Sequence, residues 1–199
     1  MSRPRVVIFS GNLRRPSRSR ALAEVLGAEV NRRVPVDLKI YDILDAGPGF
    51  GSALARTDLP LPAARIIDEI ENADALIVGT PVYKGAYTGL FKHLIDFVEP
   101  GRLAGKPVAL TATGGGPRHA LVVEHALRPL FGFFAALTVP TAVYASDADF
   151  TATDDGAGHV VTDAGIRARL ASAADELTGL LSRDVGVAEA VVRTARAAP

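Results

Sequence analysis

The sequence contains no cysteine, which excludes disulfide bonds, thiolate catalysis and metal sites with cysteine ligands. It also lacks an excess of either charge, since 22 lysines and arginines are balanced by 22 aspartates and glutamates. A dedicated nucleic-acid-binding protein needs a surplus of basic side chains to face the phosphates. No apolar run approaches the roughly 20 residues of a membrane-spanning helix, and the N-terminus leads into a strand-like segment without a secretory signal. We therefore expect a cytoplasmic protein that binds neither nucleic acid nor membranes.

Short apolar segments alternate with segments of helical periodicity along the chain. The apolar segments have the length of buried strands in a parallel sheet. This alternation predicts an α/β fold, a five-stranded parallel sheet with helices on both faces. The length suits one domain, residues 1–183, followed by a tail, 184–199, that is either helical or loose. The predicted strands are 6–9, 34–41, 75–78, 107–111 and 139–144, and the predicted helices are 18–32, 63–73, 87–98, 119–134 and 163–182.

The turn after the first strand has the composition of an anion site. In sheets of this kind ligands bind at the carboxyl ends of the strands, and the helix that follows this turn attracts anions with its free N–H groups and positive dipole end. Guanidinium groups add charge-assisted hydrogen bonds to phosphate oxygens. The alternative is that Ser17 or Ser19 only caps the helix and that the arginines form a solvated face. The candidate binding residues are Ser10, Asn12, Arg14, Arg15, Ser17, Arg18 and Ser19.

The turns after the third and fourth strands are rich in glycine, and the first of them also contains tyrosines. Glycines allow a backbone to approach a planar ligand closely, and tyrosines offer apolar faces with polar tips. The alternatives are a tight exposed turn in one case and a flexible connector in the other. An anion site beside two flat turns suits a phosphorylated planar ring, which describes FMN. The candidate residues are Pro81, Val82, Tyr83 and Lys84 in one turn and Thr113, Gly114, Gly115, Gly116 and His119 in the other.

Residues 10–19, 79–92, 114–119 and 125–130 together resemble the NAD(P)H-dependent FMN reductase family. More narrowly, they are similar to the reductase components of two-component alkanesulfonate and methanesulfonate monooxygenases. The resemblance implies a flavodoxin-like fold, with the FMN phosphate at the first turn and the isoalloxazine ring against the other two. It also implies hydride transfer from NADH or NADPH to FMN, with reduced FMN passed to a partner flavin-dependent monooxygenase. One departure is Asn12, where the family usually has serine.

The resemblance extends to the fourth predicted helix, in which similar reductases carry one inserted residue, often tyrosine, in a π-helical turn at a subunit interface near the flavin. By position this residue is His125, so we expect a wide turn around residues 124–128 and a role for His125 in flavin exchange. Pro129 lacks an N–H, which leaves the His125 carbonyl free and makes such a turn less costly. An ordinary histidine on the helix surface is the alternative. No side chain is predicted to act as an acid or base, because hydride transfer is the chemistry of the two cofactors.

Three phenylalanines near the end of this helix predict a homo-oligomer, either a dimer or a tetramer. Phe131 and Phe134 share one face, whereas Phe133 points elsewhere and needs a partner.

Two other functions stay open at this point. One is a flavodoxin-type electron carrier, which the zero net charge disfavours, and the other is a quinone or azo reductase with tightly bound FMN. No metal site is predicted, because the aspartates between residues 147 and 155 match no calcium-loop spacing. His159, in the same region, is assigned no role.

Overall fold

The computed structural model describes residues 3–196, and the side chains of residues 3–182. Its strands are β1 (Arg5–Ser10), β2 (Asp37–Asp42), β3 (Ala75–Pro81), β4 (Pro107–Gly114), β5 (Leu137–Thr138), β6 (Val143–Ser146), β7 (Phe150–Ala152) and β8 (His159–Val161). Its α-helices are α1 (Arg18–Arg33), α2 (Leu61–Asn72), α3 (Gly89–Ile95), α4 (Arg128–Phe133) and α5 (Ala164–Arg196), and a π-helical segment spans Val123–Leu127. Within residues 3–196 no helix combines the length and the apolar character that a membrane crossing requires.

The main sheet is parallel and has the strand order β2-β1-β3-β4, with β5 and β6 both beside β4. β5 pairs with the start of β4 and β6 with its end, so together they take the place of a fifth strand. Pro140 stands between them, and proline has no N–H to donate to a ladder. The predicted strand 139–144 is therefore broken, while the predicted α/β fold is confirmed. The order is the flavodoxin-like one, with its switch point between β1 and β3.

Helices cover both faces of the sheet, and each face has its own apolar core. Under α1 and α5, the side chains of Leu22, Leu26 and Val30 are fully buried, one helical turn apart. The opposite core holds the fully buried rings of Phe91 and Phe131. The central strands are apolar on both sides because both of their faces are covered.

Local capping sets both ends of α1. The Ser17 hydroxyl accepts a hydrogen bond from the Arg20 N–H at 3.3 Å and begins α1 as its N-cap. Val34 ends α1, so β2 begins at Asp37 instead of residue 34. The last helix continues to Arg196, past the predicted end at residue 182, and residues 197–199 lie outside the described residues. The division into a domain of residues 1–183 and a tail of residues 184–199 stays a prediction.

A π-helical segment lies where the wide turn is predicted. It spans Val123–Leu127 and leads directly into α4. The Arg128 N–H bonds to the carbonyl of Val123, five positions earlier, as a π-turn requires. Pro129 follows, so the His125 carbonyl has no N–H to accept at the α-helical position. The predicted π-turn is therefore confirmed, and the side chain of His125 is exposed.

β7 and β8 form a separate antiparallel hairpin that the sequence patterns above do not predict. Phe150 and Val161 are directly opposed in this hairpin, and both are buried in the core that contains α1. β8 also packs against α1 itself. The hairpin is therefore held against the side of the sheet on which α1 lies.

Candidate functional site

The carboxyl ends of β1, β3 and β4 meet at one cavity. The register places Ser10 beside Gly79, and Gly79 beside Thr111, so the turns that follow these strands reach the same edge of the sheet. All three turns contribute to the lining of the cavity, as predicted for a site at a switch point. The predicted residues on this lining are Asn12, Arg14, Ser17, Arg18, Ser19, Pro81, Val82, Tyr83, Thr113, Gly114 and Gly115.

The remaining predicted residues lie behind or beside the lining. Ser10 is fully buried at the end of β1, and its hydroxyl has no hydrogen-bond partner in the described part of the chain. His119 accepts a hydrogen bond from Arg118 Nε at 3.2 Å. The role of this group in flavin binding stays a prediction. Its members are Ser10, Arg15, Lys84, Gly116 and His119.

Arg18 offers an unsatisfied donor at the cavity. Its Nη1 atom lies 3.2 Å from a carboxylate oxygen of Asp147. Its Nε atom is buried and has no hydrogen-bond partner among residues 3–182, an arrangement that costs free energy until a partner arrives. The start of α1 adds the positive end of a helix dipole. A phosphate group at this cavity would give the Arg18 donor a partner, so the residues present fit the phosphate of FMN.

A buried carboxylate holds the first turn from behind. Asp42, at the end of β2, accepts hydrogen bonds from Arg15 at 2.7 and 2.8 Å, from Arg20 at 2.8 Å and from the Asn12 amide at 3.1 Å. Burial alone would raise the pKa of Asp42, but the hydrogen bonds from Arg15, Arg20 and Asn12 hold that pKa below its ordinary value. Arg15 also pairs with Asp45 at 2.7 Å. Because its guanidinium is engaged by two carboxylates, the geometry favours a supporting role for Arg15 over direct contact with a phosphate.

Asn12 presents an acceptor to the site. Its amide nitrogen donates to the carbonyl of Arg14 at 3.0 Å and to Asp42, which uses both amide hydrogens. The remaining atom, Oδ1, is buried and has no partner within residues 3–182. An unpaired acceptor suits a ligand hydroxyl and not a phosphate oxygen. Asn12 therefore fits the hydroxyl-bearing ribityl chain of a flavin better than the phosphate.

The second turn is tight and projects from the end of β3. Tyr83 and Ala86 exchange backbone hydrogen bonds of 2.9 and 3.2 Å across it. Between them, Lys84 and Gly85 have φ angles of 54° and 89°, and a left-handed conformation is uncommon for a lysine. The Val82 N–H donates to the Thr113 carbonyl at 2.7 Å, which joins this turn to the end of β4. The turn is thus fixed at its base and exposed at its tip.

The third turn contains glycines that serve two different purposes. A Cβ atom on Gly114 would lie 2.6 Å from the hydroxyl of Tyr144, which donates a 2.5 Å hydrogen bond to the Gly116 carbonyl. Gly114 is therefore required by the packing of Tyr144. A Cβ atom on Gly115 would meet nothing within 4 Å. The open space at Gly115, on the cavity lining, is suited to a planar ring.

Asp147 and His159 also line the cavity, although no sequence pattern places either of them at the site. Asp147 follows β6, and His159 begins β8. The Asp-Gly pair at residues 155–156, between two short apolar segments, is a hairpin signal that places residue 159 beside residue 152. Only the folded hairpin shows that His159 returns to the first turn.

The chain is similar in sequence and in fold to known proteins. The model of the family described as NADPH-dependent FMN reductase matches residues 4–151. An FMN reductase (NADPH) of Pseudomonas aeruginosa is 48% identical over 146 residues, which are 73% of this chain and 78% of that protein. The NADH-dependent FMN reductase SfnF of Pseudomonas fluorescens is 44% identical over 181 residues, or 90% of this chain and 94% of that protein. The apo form of an NADH:FMN oxidoreductase (EMOB) is 30% identical and has a TM-score of 0.75, with 90% of this chain and 89% of that chain covered. The chain therefore belongs to the NADPH-dependent FMN reductase family, which confirms the predicted enzyme class and the predicted use of FMN with NADH or NADPH.

Proposed function

We propose that this enzyme binds FMN as a diffusible substrate, reduces it with NADH or NADPH, and releases reduced FMN to a partner flavin-dependent monooxygenase of the sulfonate type. The observation that carries the proposal is the cavity at the ends of β1, β3 and β4, whose lining includes both Arg18, with a buried Nε that has no partner among residues 3–182, and Gly115, beside which there is open space. The resemblance to monooxygenase reductase components supports the choice of partner. A cytoplasmic location, as predicted from the sequence, accompanies this role.

The bound nicotinamide supplies a hydride that passes to the flavin ring, and the protein contributes position and polarity. Arg18, Ser17 and Ser19 are placed to hold the phosphate end. At the ring end, the N–H groups of Val82 and Tyr83 already donate to Thr113 and Ala86. The N–H groups of Lys84 and Gly85, at the tip of the second turn, have no acceptor in the part of the chain that the structure describes. We assign these two groups as the hydrogen-bond donors to the polar edge of the flavin ring.

Steady-state kinetics with FMN as the only electron acceptor test the proposal. The oxidation of NADH or NADPH is expected to rise with FMN concentration and to saturate, and reduced FMN is expected in the filtrate after anaerobic ultrafiltration. Absence of turnover with both nicotinamides, over a wide range of FMN concentrations, contradicts the enzyme proposal. Turnover in which the flavin stays with the protein on the filter contradicts delivery and supports a reductase or carrier with tightly bound FMN.

Deleting His125 is expected to tighten FMN binding and slow the release of reduced FMN. A π-turn contains one residue more than the α-helix around it, so the deletion restores regular pairing between Val123 and α4 without changing the register on either side. The measurements are the FMN dissociation constant and the dissociation rate. His125→Ala is the matched control, since it keeps the chain length and the wide turn. An unchanged FMN affinity in the deletion variant contradicts a role of the turn in flavin exchange.

The proposed homo-oligomer, a dimer or a tetramer, is built on the exposed ring of Phe133. As predicted, Phe131 and Phe134 are buried whereas 73% of the Phe133 surface is exposed. Phe133 lines a groove together with Phe97 and Leu130, and charged residues such as Lys92 and Glu99 lie at the same groove. Exposed apolar side chains with a polar surround of this kind mark an interface. Phe133→Glu is expected to lower the molar mass measured by light scattering at micromolar concentration. A monomeric unaltered protein, or an oligomer that survives this substitution, contradicts the proposal.

A further inference from the structure

His159 lies on the cavity that we assign to FMN, although it comes from a part of the chain remote from the three turns. The family model ends at residue 151, before the strand that carries His159. On the cavity lining this imidazole accompanies Arg14, Arg18 and Asp147. Its place therefore depends on the β7–β8 hairpin and not on the turns that hold the other candidate residues.

The hairpin holds His159 in this position through buried contacts. Phe150 and Val161 are 8% and 2% exposed, and they anchor both strands in the core under α1. The ring of Phe150 also meets the imidazole edge to face, with their centroids 6.5 Å apart. The adjacent ion pair of Arg18 with Asp147 connects α1 to the segment that leads into the hairpin. The imidazole is therefore part of a packed wall.

The charges around this wall do not balance a bound phosphate. Arg15 and Arg20 are engaged by Asp42, which leaves Arg14 and Arg18 as the guanidinium groups on the lining, and Asp147 offsets one of these charges. A phosphate monoester carries a charge of about −1.5 to −2 at neutral pH. One further positive charge at this wall would balance the negative charge of the phosphate.

We propose that His159, in its protonated form, is a ligand of the FMN phosphate at the flavin site. This contact makes the site select FMN over riboflavin. The assignment rests on the proposed function, because it requires FMN in this cavity. The chemical class of the ligand is a phosphate monoester next to a planar ring, and the imidazolium N–H is the donor.

The protonation of His159 then depends on the ligand. Without phosphate, burial lowers the pKa of His159, and Arg18 and Arg14 lower it further, while Asp147 raises it. A bound phosphate adds negative charge and raises the same pKa, so FMN binding takes up a proton. FMN affinity therefore increases as pH falls between the two pKa values, by up to about tenfold for each unit of difference between them. Riboflavin has no phosphate, and its affinity does not follow this trend.

The test is a set of flavin titrations between pH 6.5 and 8.5, a range in which the FMN phosphate, with a second pKa of about 6, is largely a dianion. Dissociation constants for FMN and riboflavin are measured by the quenching of flavin fluorescence. The variants are His159→Gln, which keeps a hydrogen-bond donor without a charge, and His159→Arg, which keeps a permanent charge. Val160→Gln, at the adjacent exposed position of β8, is the matched control.

In the unaltered protein and in Val160→Gln, FMN affinity is expected to fall by about two- to fivefold from pH 6.5 to pH 8.5, for a rise of about one pKa unit from a free value that lies below the ordinary one. His159→Gln is expected to bind FMN at every pH with about the affinity that the unaltered protein has at pH 8.5. His159→Arg is expected to keep, at every pH, at least the affinity that the unaltered protein has at pH 6.5. Riboflavin affinity is expected to stay constant in all four proteins.

Three results would overturn the assignment. The first is a pH profile in His159→Gln that matches the unaltered protein. The second is an equal loss of both flavins in His159→Gln, which assigns His159 a structural role. The third is a change in the KM for NADPH relative to NADH with FMN affinity unchanged, which places the nucleotide phosphate at this wall. If the unaltered protein shows no preference for FMN over riboflavin, the FMN phosphate does not occupy this cavity, and the placement in the proposed function fails together with the assignment.

Discussion

Replacing Arg18 with methionine is expected to weaken FMN binding about 10- to 150-fold, because the loss of a charge-assisted hydrogen bond costs roughly 1.5–3 kcal/mol. The Nε atom of Arg18 is buried and has no hydrogen-bond partner among residues 3–182, so we expect a phosphate oxygen to supply one. Methionine preserves most of the apolar length of the side chain. Riboflavin affinity is expected to change far less, since only FMN has the phosphate.

Flavin titration of the variant with FMN and with riboflavin measures this difference. Arg32→Met is the matched control, because Arg32 is on the same helix, is largely exposed and lies in its last turn. Equal losses of the two flavins in Arg18→Met would locate the phosphate elsewhere. A loss in the control of the same size would indicate a general effect of removing a positive charge from α1.

Replacing Gly11 with alanine is expected to destabilise the folded protein by about 3 kcal/mol, the upper end of the range for overpacked positions. The new Cβ atom would lie 2.8 Å from Cβ of Phe91 and 3.0 Å from the hydroxyl of Thr80. Phe91 is fully buried and stacks on Phe9 at a centroid distance of 5.6 Å, so it has little room to retreat. The first turn must therefore move away from β3.

The expected decrease in melting temperature is about 6–12 °C, given about 2–4 °C for each kcal/mol in a protein of this size. Thermal unfolding followed by circular dichroism measures it. Gly101→Ala is the control, because a Cβ atom there meets nothing within 4 Å and its φ is not left-handed. A melting temperature that stays within about 1 °C of the unaltered protein would show that the first turn has space that the contacts do not indicate.

The features that the sequence predicts well are those that depend on neighbouring residues. Apolar runs such as residues 75–78 become β3 because a strand buried on both faces needs no alternation. The composition of the turns predicts the cavity, since parallel strands end at one edge of the sheet. The wide turn at His125 follows from the resemblance to the reductase family, and Pro129 only makes it less costly, because it removes one helical N–H.

Interactions between distant segments are not visible in the same way. Arg15 has the side chain and the position in the first turn that are expected of a phosphate ligand. Its guanidinium is nevertheless hydrogen-bonded to Asp42, which is 27 positions away in sequence. His159 reaches the cavity because Phe150 and Val161 are buried in a shared core. In each case the decisive contact is set by packing that no local pattern specifies.

Direct hydrogen bonds join the three turns around the proposed flavin site. The Gly11 N–H donates to Gly79 at 2.7 Å, and the Gly11 carbonyl accepts from the Thr88 hydroxyl at 2.8 Å. The hydroxyls of Ser19 and Thr113 share a further hydrogen bond of 2.6 Å, which joins the proposed phosphate end of the site to its proposed ring end. The free energies that the phosphate and the ring contribute to binding are therefore not independent, because each part of the ligand orders backbone that contacts the other part. For this reason, the binding free energy measured for a fragment that contains only one half of FMN is expected to be smaller than the contribution of that half within the whole cofactor.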